Sequence, residues 1–160
     1  SLRIQSHEFD YALWLFGMPR RVYAVGGHLS RLEVDVEDSI SILMACEAGF
    51  GRFPVHLHLD YLQRPPQRVC EVIGDAGKVR YDFYANQVEI HDLHARVRQV
   101  VEFTGFDRNQ MFLDELRHFL ACVRGEEQPL IDLREAARSL RISLCAEDSL
   151  RSGGAVSCEG

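Results

Sequence analysis

The sequence predicts an α+β fold with an open, mostly antiparallel (mixed) β-sheet and helices packed on one face. Apolar residues recur with a period of two from about Arg20 to Phe103, which is typical of strands. Helical periodicity precedes and follows this block. Because the strand segments are joined by links of hairpin length, we expect mostly antiparallel pairing. Helices at both ends of one strand block favour α+β over a doubly wound fold.

A short amphipathic helix is predicted at residues 7–16. Ser6 before it is a good N-cap residue, and Gly17 and Pro19 end the helical pattern. We expect Trp14 to lie in the core. The same is expected of the apolar residues at helical spacing, which are Phe9, Ala12, Leu13 and Phe16.

The clearest strand is predicted at residues 52–61, where apolar and polar residues alternate. Residues 40–46 alternate in the same way, and the glycine-rich segment 49–51 provides a hairpin turn between the two. Residues 74–77 and Asn86 mark further turns, so that about seven strands are predicted in all. The core face of the clearest strand consists of Phe53, Val55, Leu57, Leu59 and Tyr61.

Two helices are predicted in the last third of the chain. Each begins with a capping-box pattern, Asp107 with Gln110 and Asp132 with Glu135, and Gly125 ends the first helix. We expect the apolar stripe of each helix to lie in the core. The stripes are Phe112, Leu116, Phe119, Leu120 and Val123 in the first helix and Leu133, Ala137, Leu140 and Leu144 in the second.

The length of 160 residues and the hydrophobic content of 46% predict one compact domain. We place this domain at residues 3–152 and predict a disordered tail at 153–160, because the tail is small and polar. The end residues 1–2 and 159–160 resemble vector remnants. Four of the five cysteines fall in apolar stretches and are expected as buried thiols, whereas Cys158 falls in the tail.

The overall charge and hydropathy exclude several classes of protein. A net charge of −6 provides no basic field for a phosphate backbone, so nucleic acid is not an expected partner. No apolar run approaches the roughly 20 residues that span a bilayer, and no secretory leader opens the sequence. We therefore expect a cytoplasmic protein with no membrane partner.

Motifs that bind cofactors or supply nucleophiles are missing from the sequence. The pair Gly26-Gly27 lies in a strand-like run, and the glycines of residues 74–77 join two strands, so neither fits a GxGxxG turn between a strand and a helix. A P-loop and the patterns GxSxG and HExxH are also missing. We expect this chain to bind no nicotinamide cofactor by itself.

Three segments of the sequence carry a family resemblance. They are residues 6–17 (SHEFDYALWLFG), residues 35–39 (DVEDS) and residues 64–79, which begin RPPQR and end GDAGKV. In this order and spacing they resemble the C-terminal domain of the Gfo/Idh/MocA oxidoreductases. The resemblance extends from about residue 6 to residue 151.

This resemblance implies a fold like the glyceraldehyde-3-phosphate/dihydrodipicolinate reductase-like C-terminal domains. It also implies a parent enzyme that binds NAD or NADP through an N-terminal Rossmann domain, which is absent from this chain. The implied substrates are sugars, cyclitols and sugar-nucleotide derivatives, reacting at a hydroxyl or ketone carbon. The implied assembly is a homodimer or tetramer formed through the open sheet face.

The resemblance also implies roles for particular residues. His7 matches the histidine that faces the reacting hydroxyl in many members, and imidazole titrates near neutral pH as an acid/base requires. Asp10, one turn later, is expected to orient the substrate or His7. Many members carry an aspartate where this chain has Arg3, and the family's lysine partner lies in the Rossmann half. Arg64 and Arg68 are candidate contacts for an anionic sugar.

Each candidate also has a structural interpretation. His7 is a surface or capping group in that interpretation, Asp10 is a first-turn acid favoured by the helix dipole, and Arg64 and Arg68 are solvated. His56, His58 and Asp60 share one strand face and could in principle bind a metal. We favour the polar side of a half-buried strand, and no metal site, because these residues spread over about 13 Å.

Two functions follow as hypotheses. In the first, the chain is the substrate-recognition and oligomerisation domain of an NAD(P)-dependent oxidoreductase and is inactive alone. In the second, it is an oligomerisation module that retains no substrate chemistry.

Overall fold

The computed structural model describes residues 6–158, and its elements confirm the α+β prediction. Among the described residues, no helix is both long and apolar enough to cross a bilayer. The helices are α1 (Ser6–Phe16), α2 (Arg108–Val123) and α3 (Leu133–Ser152). The strands are β1 (Arg21–Gly27), β2 (Ser39–Ala48), β3 (Gly51–Asp60), β4 (Val69–Gly74), β5 (Gly77–Asp82), β6 (Gln87–Asp92), β7 (Val97–Glu102) and β8 (Val156–Ser157).

The strands form two separate antiparallel sheets of four strands each, in the orders β3-β2-β1-β8 and β4-β5-β6-β7. The described residues divide accordingly into two compact units, 6–62 with 130–158 and 63–129, instead of the single unit expected from the length. The link between β3 and β4 contains Pro65 and Pro66. Neither proline has a backbone N–H to donate to a neighbouring strand, and the link adds no strand to either sheet.

The first sheet confirms the alternation predicted for residues 40–46 and 52–61. β2 and β3 pair from Ser39 opposite Asp60 to Ala48 opposite Gly51, around a two-residue turn. Their inward side chains, together with those of β1, face α1 and α3, which pack on the same side of the sheet. The fully buried core consists of Phe9, Val22, Ile40, Ile42, Met44, Cys46, Ile142, Ala146 and Cys158, with Ala12, Leu13, Ala24, Leu59 and Cys145 around them.

Helix α3 turns a different face to the core from the one predicted. Leu133, Leu140 and Leu144 of the predicted stripe are 91%, 47% and 40% exposed, and Ala137 is exposed as well. The prediction for this stripe was therefore wrong, because small side chains let the helix approach β1 closely. The buried residues of α3 are Ser139, Ile142, Ser143, Cys145, Ala146 and Ser149.

The end of the chain is ordered as far as the structure describes it, in contrast to the disordered tail predicted at 153–160. Gly153 takes the left-handed conformation that ends α3, and β8 then pairs with β1 at Arg21 and Val22. The backbone N–H of Cys158 donates to the carbonyl of Arg20 at 3.0 Å, and the Cys158 side chain is buried. Edge pairing and burial therefore hold this segment, and residues 159–160 lie outside the described residues.

The second unit has no fully buried residue between 63 and 129. Its sheet is a meander in which the apolar side chains of one face are at most half-buried. The stripe predicted for the core on α2 is also exposed, with Phe112 and Phe119 both at 60%. No residue of α2 is buried, although the helix is amphipathic. The prediction that this stripe lies in the core was therefore wrong.

Candidate functional site

Helix α1 presents one face of four side chains outward, which we call the α1 face: His7, Asp10, Tyr11 and Trp14. Their spacing of three and four residues places them on one side of a helix. His7 is exposed, Asp10 is half-buried, and Tyr11 is 45% exposed. On the opposite side, fully buried Phe9 packs with α3 and β2 and thereby fixes the orientation of the helix.

Trp14 is 79% exposed, so the expectation that it lies in the core was wrong. The apolar positions of α1 already complete the buried side without it, and Trp14 falls seven residues after His7 on the outward side. Sequence reasoning therefore missed Tyr11 and Trp14 as neighbours of His7. The spacing from His7 was the signal that could have found them.

The structure places the predicted pair His7 and Asp10 on adjacent turns of one helix. His7 lies in the first turn of α1, where its imidazole is open to solvent and to a ligand. The roles of acid/base for His7 and of orienting group for Asp10 remain predictions. Arg3 lies outside the described residues.

Arg64 and Arg68 belong to the second unit, whereas His7 and Asp10 belong to the first. The Arg64 Nη1 donates to the carbonyl of Gln63 at 2.8 Å. The Arg68 guanidinium lies 4.7 Å from the centre of the Phe83 ring, and Arg108 lies at the same distance from that ring. This cation–π arrangement gives Arg68 a role in holding the segment before β4, while a substrate role for either arginine remains a prediction.

The polar side of β3 forms sheet-surface hydrogen bonds around His58. Its Nδ1 lies 2.9 Å from Ser41 Oγ, and its Nε2 lies 3.2 Å from Asp60 Oδ2. Both ring nitrogens are therefore engaged by neighbouring side chains. Within residues 6–158, no group of three histidine, cysteine or acidic residues has the geometry to hold a metal ion.

Asp38, the fourth residue of the DVEDS segment, is a buried carboxylate that fixes the loop between β1 and β2. It accepts hydrogen bonds from the Leu29 N–H at 2.8 Å, the Ser30 N–H at 2.9 Å and the Ser30 hydroxyl at 2.5 Å. The Leu29 N–H and then the Ser30 hydroxyl hold the pKa of the Asp38 carboxyl below its usual range. The backbone of Asp38 also joins Gly27 to Tyr61, so this residue ties the loop to both flanking strands.

The N-terminal ends of α2 and α3 are not suited to binding the pyrophosphate of a dinucleotide. The Asp107 carboxylate accepts the Asn109 N–H at the start of α2, and Asp132 accepts the Glu135 N–H at the start of α3. These carboxylates occupy amide donors and would repel a phosphate. Gly26 serves strand packing instead, since a Cβ there would lie 2.2 Å from the Ser39 carbonyl oxygen.

The first half of the chain matches a model of a known protein family. Residues 2–80 match the model described as the GFO/IDH/MocA C-terminal domain. No curated protein matches the chain.

Solved structures with the same fold cover nearly the whole chain. An oxidoreductase from Agrobacterium radiobacter, in complex with NAD+, L-tartaric acid and magnesium, matches 97% of this chain and 48% of its own at 14% identity and a TM-score of 0.73. The WlbA dehydrogenase from Bordetella pertussis, in complex with NADH and UDP-GlcNAcA, matches 96% of this chain and 46% of its own length. The sequence identity is 21% and the TM-score is 0.69. The UDP-N-acetylglucosamine 3-dehydrogenase GnnA from Acidithiobacillus ferrooxidans matches 92% of this chain and 45% of its own length. The sequence identity is 21% and the TM-score is 0.73. The chain thus spans about half the length of these proteins.

Proposed function

The chain belongs to the Gfo/Idh/MocA C-terminal domain family, and we propose that it is the substrate-recognition and oligomerisation domain of an NAD(P)-dependent oxidoreductase. The proposed substrate is a sugar, a cyclitol or a sugar-nucleotide derivative. The observation that carries this proposal is the α1 face, where an exposed imidazole, a carboxylate and two exposed aromatic rings lie on a helix anchored by its buried side. Two of the structures with this fold are sugar-nucleotide dehydrogenases or hold a sugar nucleotide.

His7 is the proposed acid/base of this face. Converting a substrate hydroxyl to a carbonyl requires the hydroxyl proton to leave, and an imidazole accepts a proton near neutral pH. Asp10, one turn along, would orient the His7 ring or a second hydroxyl. Trp14 offers a large ring on which the apolar face of a sugar can pack. The cofactor would be held by the remainder of the parent enzyme.

Trp14 allows a direct test on this chain, because it is the only tryptophan in the sequence. UDP-N-acetylglucosamine is titrated while the Trp14 fluorescence is followed. We expect a saturable change in intensity and a several-fold weaker apparent affinity in His7→Ala. His94→Ala, which changes an exposed turn of the second unit, is the matched control and should leave the titration unchanged.

Fluorescence that does not respond to UDP-N-acetylglucosamine, to other nucleotide sugars or to free cyclitols would contradict the substrate-recognition role. An identical titration in His7→Ala and His94→Ala would instead remove His7 from the site while leaving binding in place. The two results separate the role of the domain from the role of the residue.

The proposed oligomer forms through the outer face of the first sheet, defined by Tyr23, Val25, Leu43, Ala45 and Pro54. Tyr23 lies opposite Leu43, and Ala45 lies opposite Pro54, so the apolar side chains are contiguous across three strands. Tyr23, Val25 and Leu43 are 41%, 56% and 48% exposed, and part of this face lines a shallow groove of about 430 Å³. The outer side of an antiparallel sheet is normally polar, and a contiguous apolar patch supports an interaction surface.

A second copy of this chain is the proposed occupant of the outer face. A two-fold interface buries the same patch on both subunits, which suits a flat sheet face. Light scattering should give a dimer or tetramer for the unmodified chain and a monomer for Leu43→Lys. Leu93→Lys, at an exposed turn of the second unit, is the control and should keep the assembly. A strict monomer at high concentration would contradict this part of the proposal.

The outer face also favours a second candidate function, that of an oligomerisation module without retained substrate chemistry. The two functions differ in the fluorescence titration. An assembly that depends on Leu43 together with Trp14 fluorescence that no sugar derivative alters would favour the module.

A further inference from the structure

Three side chains near the end of α2 form a chain of contacts that the proposed function does not use. The Sγ of Cys122 lies 3.6 Å from Nε2 of His118, and Nδ1 of His118 lies 2.5 Å from Oε2 of Glu127. A carboxylate can only accept a hydrogen bond, so Nδ1 of His118 donates and Nε2 faces the sulfur. A sulfur, a base and a carboxylate that orients the base are thereby aligned.

The helix and its C-cap explain how these groups meet. His118 and Cys122 are four residues apart and share one side of α2. After the helix, the Gly125 N–H donates to the Cys122 carbonyl at 3.0 Å and the Glu126 N–H donates to the Ala121 carbonyl at 2.9 Å. This Schellman motif, with Gly125 at a φ of +75°, turns the chain back and places Glu127 beside His118.

Two pairs of charged side chains lie near these three groups, and Glu115 lies one turn before His118 on α2. Asp114 accepts from Arg117 at 2.8 Å, and Arg124 lies 3.7 Å from Glu126. The His118 side chain is 29% exposed and Cys122 is half-buried, so neither residue is enclosed in the core.

Of the other four cysteines, Cys46, Cys145 and Cys158 are buried, and Cys70 is half-buried like Cys122 but has no imidazole beside it in the described contacts. Burial raises the pKa of the Cys46 and Cys70 thiols. Burial and then the neighbouring Cys145 raise the pKa of the Cys158 thiol. A thiol whose pKa is raised reacts slowly, because the thiolate is the nucleophile.

We infer that Cys122 is a modification site that exchanges with small-molecule disulfides such as glutathione disulfide. In the reaction the Cys122 sulfur attacks one sulfur of the disulfide, the S–S bond of the reagent breaks, and a mixed disulfide forms on Cys122. The Cys122 proton passes to Nε2 of His118, and the released thiolate takes up a proton from His118 or water. Glu127 is a positioning residue that holds the ring with Nε2 toward the sulfur.

The test is the rate of glutathionylation of each cysteine in the 160-residue chain. Each cysteine falls in a tryptic peptide of its own, with Cys122 in residues 118–124 and Cys70 in residues 69–78. At pH 6.5 we expect glutathione disulfide to modify Cys122 at least about tenfold faster than Cys70. His118→Gln should slow the modification of Cys122 by about tenfold, because the thiol loses the base that accepts its proton, and should leave the rate at Cys70 unchanged.

A matched control is His91→Gln, since His91 pairs with Glu89 on the sheet of the same unit in a similar way. It should leave the Cys122 rate unchanged, and Glu127→Gln should give a rate between those of the wild type and His118→Gln. Equal rates for Cys122 and Cys70 in the unmodified chain would overturn the inference, and that comparison requires no variant to fold. A Cys122 rate in His118→Gln equal to that in His91→Gln would overturn it as well.

Discussion

The hydroxyl of Ser149 accepts the backbone N–H of Ala24 at 2.8 Å, a buried hydrogen bond between residues that are 125 positions apart in the chain. β8 pairs with β1 only at Arg21 and Val22. The Ser149 hydroxyl therefore provides a hydrogen-bond acceptor for the edge of β1 at a point where β8 no longer pairs with that strand. The same hydroxyl donates to the Gly154 carbonyl at 2.6 Å, so one side chain links α3, β1 and the final turn.

Ser149→Ala should lower the free energy of unfolding by about 1–3 kcal/mol, because it leaves the buried N–H of Ala24 without its acceptor. Urea unfolding measures the change. Ser152→Ala, at an exposed position of the same helix, removes only two longer contacts of 3.4 Å and, as the control, should change stability by less than about 0.5 kcal/mol. Equal stabilities for the two variants would contradict the importance of the Ser149 hydrogen bonds.

Ser143→Ala should have the opposite effect from Ser149→Ala. The Ser143 hydroxyl is fully buried, and it has no hydrogen-bond partner among the described residues. Removing an unsatisfied hydroxyl without altering the shape of the side chain is expected to be neutral or stabilising, by up to about 1 kcal/mol. A loss of stability as large as that of Ser149→Ala in the same urea experiment would show that this hydroxyl is satisfied.

Asp38→Asn should loosen the loop between β1 and β2. The ionised carboxylate of Asp38 holds the amides of Leu29 and Ser30, and we expect hydrogen exchange at these two amides to accelerate by about tenfold in the variant. Because the pKa of Asp38 is lowered in the folded chain, its contribution is present above the unfolded pKa of about 3.9 and is lost as the pH falls through the folded pKa. Asp35→Asn, at an exposed position of the same loop, should leave both amides protected.

The carboxyl of Glu89 should titrate well below an ordinary glutamate. The Arg98 guanidinium and then the His91 ring lower the pKa of Glu89 to about 2. Its contribution to stability is therefore present above about pH 4.5 and is lost as the pH falls from about 4.5 to about 2. Carbon NMR of the side chain should show this titration, and Arg98→Gln should move it back toward about 4.3, whereas Arg96→Gln in the adjacent turn should not. A wild-type midpoint near 4.3 would contradict the pairing.

The sequence predicted the elements better than it predicted which of their faces are buried. The alternation in residues 52–61 identified β3 and its core side, since one-sided burial of a strand requires a period of two. On α3 the large leucines suggested one stripe, whereas the helix packs through Ile142 and through small residues, namely serines, Ala146 and Cys145. Hydrophobic periodicity could not reveal this, because close approach to β1 selects small side chains whatever their polarity. β8 was missed because a strand of two residues has no period.

The candidate site was predictable in part. His7 and Asp10 follow from the family resemblance, and their shared helix face follows from their spacing. The exposure of Trp14 could not be predicted, because an aromatic residue in an apolar helix is normally a core residue. The contact of Glu127 with His118 depends on a chain reversal at Gly125, which spacing alone does not determine.

Calorimetry on this chain with two ligands tests the central claim most directly. If the chain supplies the substrate side of an enzyme whose cofactor is held elsewhere, UDP-N-acetylglucosamine or a related nucleotide sugar should give saturable heat, and NADH should give none. Stoichiometric NADH binding at micromolar strength, with no heat from any sugar nucleotide or cyclitol, would contradict the claim.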